Sequence, residues 1–254
     1  MKARILSAVV IGFRLGLVVT LVGLLSTTAS GTVVYNFSGT STIGTPVAFQ
    51  ADLTISGNTL TVQLFNNSPT NSLGPNDTLG SIYFDIVNNS NVRPTLTYSS
   101  AVGDVYTGDK DNPDPLFQAG ANLKAVSAGD NTWQYKAMNV STNPPYAFGI
   151  GTVGNNNLTP NNFMGNIVDG FDYSIYRDDI VTQNLNGTKL VKNTATFVFT
   201  GVSGFTEADL APTVLFGLGT APDSTHVGMI PEPSTTALVG LGLLGLLALR
   251  RRKK

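Results

Sequence analysis

Val47-Ala48-Phe49-Gln50-Ala51-Asp52-Leu53-Thr54-Ile55-Ser56, followed by Gly57-Asn58 and by Leu60-Thr61-Val62-Gln63-Leu64, reads as a strand, a two-residue turn and a second strand. Val47, Phe49, Ala51, Leu53 and Ile55 alternate with Ala48, Gln50, Asp52, Thr54 and Ser56. Successive side chains of a strand point to opposite faces, so this period of two collects the large apolar residues on one side. A helix would scatter the same residues around its axis. Gly57-Asn58 suits the tight turn that joins two antiparallel strands. The pair is therefore a β-hairpin with one buried face.

The same pattern recurs on both sides. Strands are expected at Val33–Phe37, Ile82–Ile86, Leu96–Tyr98, Trp133–Ala137, Tyr146–Ile150, Phe171–Tyr176, Lys189–Thr200 and Thr213–Leu218. No amphipathic helix is evident between residues 31 and 230. Asn, Asp and Gly, which favour turns over helices, crowd the intervening stretches, as at Asn66-Asn67, Asn88-Asn89 and Asn155-Asn156-Asn157. Short strands joined by polar loops predict an all-β fold, an antiparallel β-sandwich, with a β-barrel as the alternative.

The ends of the chain obey different rules. Lys2, Arg4 and Arg14 precede an apolar run from Leu15 to Leu25, and small residues follow through Gly31. A basic start, a short apolar stretch and a small-residue zone make residues 1–30 a secretory signal peptide, handled by the Sec machinery and cut by signal peptidase. At the other end stand Pro231-Glu232-Pro233, an uncharged segment from Ser234 to Leu249, and Arg250-Arg251-Arg252-Lys253-Lys254. The segment 234–249 is a short transmembrane helix. Its apolar core, Ala237–Leu249, would be only about 20 Å long against a hydrocarbon layer of about 30 Å. Five positive charges beyond it belong on the cytoplasmic side, which puts the body of the chain outside. Residues 31–220 are then the ectodomain and 221–230 a tether.

Motif, apolar helix and basic block, in that order, resemble the PEP-CTERM sorting signal of Gram-negative bacteria. The resemblance covers residues 231–254 only. It implies that an exosortase, a membrane transpeptidase-like protease, reads Pro231, Glu232 and Pro233 and removes the tail. It also implies that Arg250, Arg251, Arg252, Lys253 and Lys254 act as the stop-transfer cluster. The protein would pass through the inner membrane and end at the cell surface or in the extracellular matrix. Within the family pattern its helix is on the short side.

Charge narrows what the exported part can bind. Between residues 31 and 230 seven basic side chains face fifteen acidic ones, which leaves −8 although the whole chain carries −1. Such a domain is not built to bind nucleic acid or anionic lipid. The chain has no cysteine, so its stability in an oxidising compartment rests on its core and not on disulfides.

Few residues suggest chemistry. The single histidine, His226, falls in the tether, where no packing would hold it as a catalytic base. Thiol nucleophiles and His-based zinc sites are excluded by composition. Gly108-Asp109-Lys110-Asp111-Asn112-Pro113-Asp114 reads as an acidic loop that brings three carboxylates together, and hard oxygen ligands of that kind suit calcium. Asp109, Asp111 and Asp114 are the candidate ligands. The segment is not an EF-hand, since it lacks that motif's later Gly and Glu. Trp133 and Tyr135, and Phe171 and Tyr173, alternate on expected strands and belong either to the core or to a sugar-stacking face. The reading is thus an exported structural or adhesive protein associated with exopolysaccharide in a biofilm matrix. Its rivals are a carbohydrate-active enzyme and a calcium-dependent carbohydrate-binding module.

Overall fold

The computed structural model describes residues 31–109, 112–124, 132–137, 146–152, 172–177, 189–219 and 225–230. Side chains of residues 108, 109, 112–115 and 225 lie outside that description. So do the signal peptide 1–30 and the sorting tail 231–254, including the segment 234–249. Among the described residues no helix is long and apolar enough to cross a membrane.

The hairpin that opens the sequence is present. β2 (Pro46–Ser56) and β3 (Thr59–Asn66) pair from Phe49 opposite Asn66 to Ser56 opposite Thr59. Val47, Phe49, Ala51, Leu53, Ile55, Leu60, Val62 and Leu64 are all buried. Gly57 takes φ 59°, the left-handed geometry that the two-residue turn requires and that Gly adopts without strain. Asn58 beside it accepts from the backbone N–H of Gly201 at 3.1 Å and of Ser203 at 3.0 Å, tying the turn to the end of a distant strand.

Around this hairpin the remaining strands are β1 (Thr32–Thr40), β4 (Leu79–Phe84), β5 (Thr97–Asp109), β6 (Asn112–Asn122), β7 (Gln134–Ala137), β8 (Phe148–Gly151), β9 (Ile175–Tyr176), β10 (Lys189–Thr200), β11 (Thr213–Leu218) and β12 (Thr225–Met229). Neighbours run β10-β3-β2-β1-β12-β11-β4, and β9 pairs both β4 and β10. Eight strands therefore close on themselves. The fold is all-β as expected, but it is a closed barrel and not a sandwich. Alternation could not separate the two, because either architecture buries one face of each strand. What decides is whether the last strand finds the first, a pairing remote in sequence.

That closure has a local cause. β10 pairs β3 from Thr194 to Thr200, then meets β9 in parallel at Val191 and Lys192. Between these stretches Asn193 has φ 57°, and the register against β5 shifts. A bulge of this kind bends a strand and re-aims its partners. Here it lets β10 leave β3 and reach β9, which in turn pairs Ile175 with Leu79 of β4. Asn66, buried at the end of β3, fastens the junction. Its amide donates to the carbonyls of Asp77 at 3.2 Å and Ile175 at 3.1 Å, and its oxygen accepts from the Ser68 hydroxyl at 2.5 Å.

A second route spans the same seam. β5 lies along β10, Leu123 donates to Ala101 of β5, Trp133 donates to Leu123, and β7 and β8 return to β4. The inner faces of all these strands share one hydrophobic core. Trp133 belongs to it, fully buried, with its ring 4.8 Å from Phe197 and its Nε1–H donated to the Tyr173 carbonyl at 2.8 Å. β4, beside the seam, is buried on both faces along its whole length. At its far end Asp85 accepts a forked pair of bonds from Arg93, Nε to Oδ1 at 2.9 Å and Nη2 to Oδ2 at 2.8 Å. Planar fork-on-fork pairing is the strongest geometry available to such a pair, and it holds the 85–93 loop against the barrel end.

Candidate functional site

The last strand of the barrel adjoins the sorting tail in the chain. Residues 221–230 were expected to be a tether. Instead Thr225–Met229 form β12, a wall strand of the barrel. It pairs β11 from Gly217 opposite Thr225 to Thr213 opposite Met229, and Met229 also pairs Asn36 of β1. The strand was illegible in the sequence because its inward positions are His226 and Gly228. Gly228 is required there, since the Phe216 ring crosses the strand where a Cβ would project. His226 is not a solvated linker residue either. It is half-buried, with its ring 4.8 Å from that of Phe37, and burial pushes its pKa down. Desolvation disfavours the imidazolium, so the ring is a neutral packing element at neutral pH.

The folded barrel thus reaches Met229, and only Ile230 separates it from Pro231 of the motif. Pro231, Glu232 and Pro233 lie outside the described residues, as do Arg250, Arg251, Arg252, Lys253 and Lys254.

The acidic segment was expected to be a loop. Most of it belongs to a long hairpin: β5 runs through Asp109 and β6 starts at Asn112, with these two residues paired. Asp109 and Asp114 therefore lie on paired strands near one hairpin tip. Asp111 and the side chains of Asp109 and Asp114 are outside the described residues. β6 contains Pro113 and Pro115 near its start, which cannot donate to a ladder and suit an edge strand.

The aromatic residues sort into two groups. Trp133 is core, and Tyr135 packs half-buried between Phe199 at 5.2 Å and Tyr98 at 6.4 Å. Burial raises the Tyr35 and Tyr98 phenols and pushes Tyr135 up to about 12. They stay protonated and donate, Tyr35 to the Ala211 carbonyl at 2.7 Å and Tyr98 to the Trp133 carbonyl at 3.3 Å. Tyr173 packs against the core, and Phe171 lies outside the described residues.

Among the described residues the exposed aromatic surface is on the β5–β6 hairpin. Phe117 is 51% exposed, and its ring lies 4.9 Å from that of Tyr106. Tyr106 is backed by buried Tyr176 and Leu190, and Lys192 Nζ sits 5.3 Å over its ring. Sequence reasoning missed this pair because Tyr106 and Phe117 flank the acidic segment and come together only through the hairpin register.

Among the described residues no three His, Cys, Asp or Glu side chains cluster as a metal site. Fold and tail together define a class: a β-barrel carried on a C-terminal sorting signal. Residues 230–253 match the family model of the PEP-CTERM protein-sorting motif. The motif marks the chain as an exported protein that transits the membrane, is processed by an exosortase and ends at the cell surface. No curated protein matches the chain in sequence.

Proposed function

We propose that the barrel is a structural or adhesive component of the extracellular matrix that holds exopolysaccharide on the outer face of its β5–β6 hairpin. The observation that carries this reading is the solvent-facing Phe117 ring on Tyr106, with a lysine over the second ring. Sugar rings present flat C–H faces that stack on aromatic rings. The barrel interior is filled by side chains such as Tyr35, Phe49, Phe197 and Phe216, so the domain offers ligands an outer wall. In this reading the bacterium is Gram-negative, the chain enters through Sec and signal peptidase, and the barrel has no catalytic role.

The test is co-sedimentation of the processed protein with extracellular polysaccharide purified from the same cells. A lost stacking contact of about 1–1.5 kcal/mol weakens binding roughly 5- to 13-fold. Phe117→Ala should show that loss while melting within about 2 °C of the parent. Unchanged sedimentation overturns the assignment of this face. Release of soluble sugar during the incubation would favour the carbohydrate-active enzyme, whose chemistry needs two carboxylates across a cleft.

The hairpin register favours a second reading, a calcium-dependent module, because it brings Asp109 and Asp114 to the same tip. Calcium would relieve the mutual repulsion of Asp109, Asp111 and Asp114. A ligand at 100 times its Kd adds about 2.7 kcal/mol of stability. For a domain of this size that raises Tm by roughly 5–11 °C. The exported protein should melt higher in millimolar calcium than in chelator, and Asp111→Ala should remove most of the difference. Superimposable melting curves would leave these carboxylates as solvated charges.

A further inference from the structure

We propose that, before the tail is removed, the barrel lies on its side against the outer membrane–water interface of the bilayer that holds the tail, with the wall around β12 as its docking surface. This goes beyond the polysaccharide reading and does not depend on it. Three observations carry it. The first is an exposed apolar strip at the end of β12: Val227 is 50% exposed and Met229 62%, and Ile230 just beyond the strand is 42% exposed. These residues stand at the very end of the folded domain, next to the motif.

The second is the charge pattern. The outward positions flanking the strip are Asn36 and Ser38 on β1 and Thr213 and Leu215 on β11, none of them ionisable. The exported part carries −8, so an uncharged wall is a surface that can approach lipid without bringing carboxylates with it. The barrel end from which the chain leaves is different. It presents Glu207 and Asp209, which accept from the Gly31 N–H and the Thr206 N–H, while Asp85 there is buried and paired with Arg93. Charge favours contact through the wall over contact through the end.

The third is length. β12 ends at Met229 and the uncharged segment begins at Ser234, five residues on. At about 3.6 Å per residue those steps span no more than roughly 18 Å. The headgroup layer takes up about 6 Å of that, from a bilayer of 40–45 Å with a core of about 30 Å. Because Thr225–Met229 are fixed in the barrel wall, no slack can be drawn from upstream. The tail therefore holds the β12 strip within reach of the interface, and Met and Val side chains gain by leaving water there.

The absence of cysteine in the chain makes the test direct. Val227→Cys and Thr196→Cys each place one thiol, the first on the strip and the second on the outward face of β10, half-way round the ring of eight. Each full-length variant, tail included, is labelled with an environment-sensitive fluorophore and reconstituted in phosphatidylcholine vesicles. The label at 227 should be quenched by nitroxide carried on the lipid and shielded from aqueous iodide at least several-fold. The label at 196 should show the reverse. Equal iodide access at both positions overturns the proposal. Shielding at 227 without lipid quenching also overturns it, and assigns the strip to the chain's own tail. Shielding that appears only when the exosortase is co-reconstituted overturns it in favour of an enzyme-docking surface.

Discussion

Neutralising Arg250, Arg251, Arg252, Lys253 and Lys254 together is expected to abolish correct sorting. The apolar core of the tail is thirteen residues, about 20 Å as a helix, and falls short of a bilayer that usually needs about twenty. Hydrophobicity alone therefore holds it weakly. Placing a Lys or Arg in the membrane costs about 2.5–3.5 kcal/mol, so five in series oppose passage by more than 10 kcal/mol. Since 1.4 kcal/mol is a tenfold bias, their loss removes far more than is needed to change the outcome. The variant should slip through the membrane or stay uncut, and the processed surface form should fall by well over tenfold in fractionated cells. A charge-preserving variant with five lysines should be sorted better than the neutral one, because stop-transfer reads charge. Normal processing of the neutral variant would mean that the motif and helix suffice.

How much of this was legible in the sequence follows from the range of the signals. Alternation is local, and it gave the β2–β3 hairpin, and it gave β10 at Lys189–Thr200 and β11 at Thr213–Leu218 with their observed bounds. It failed where a strand breaks the pattern for a reason set elsewhere. β12 carries Gly228 inside because Phe216, on the neighbouring strand β11, needs the space. β6 carries prolines because it stands at an edge, and a proline-rich acidic stretch reads as a loop. Barrel closure is non-local altogether. It rests on two residue pairs of β9 with β10, one of β9 with β4, and the left-handed turn at Asn193. The tail was legible for the opposite reason: motif, apolar run and charges lie within 24 residues and need no tertiary context. The aromatic pair was not, since nothing in the spacing of Tyr106 and Phe117 states that a hairpin register stacks them.

Trp133→Ala is expected to be the most damaging single substitution in the barrel. The indole is fully buried and spans the seam that β9 closes only briefly. Its backbone N–H holds Leu123, its carbonyl accepts from Tyr98, and its ring fills the space beside Phe197. Truncating a buried Trp costs about 3–5 kcal/mol through lost transfer energy and the cavity left behind. The Tyr173 carbonyl also loses its Nε1–H partner, which adds about 1 kcal/mol if no water reaches it. At about 2–4 °C per kcal/mol, Tm should fall by roughly 6–20 °C. Trp133→Phe separates the contributions: it keeps an aromatic ring in place and loses the hydrogen bond, so its fall should be less than half as large. Phe117→Ala, with its ring half in solvent, should move Tm by no more than about 2 °C. If Trp133→Ala melts within about 3 °C of the parent, the second route across the seam bears no weight, and the barrel is held by β9 and Asn66 alone.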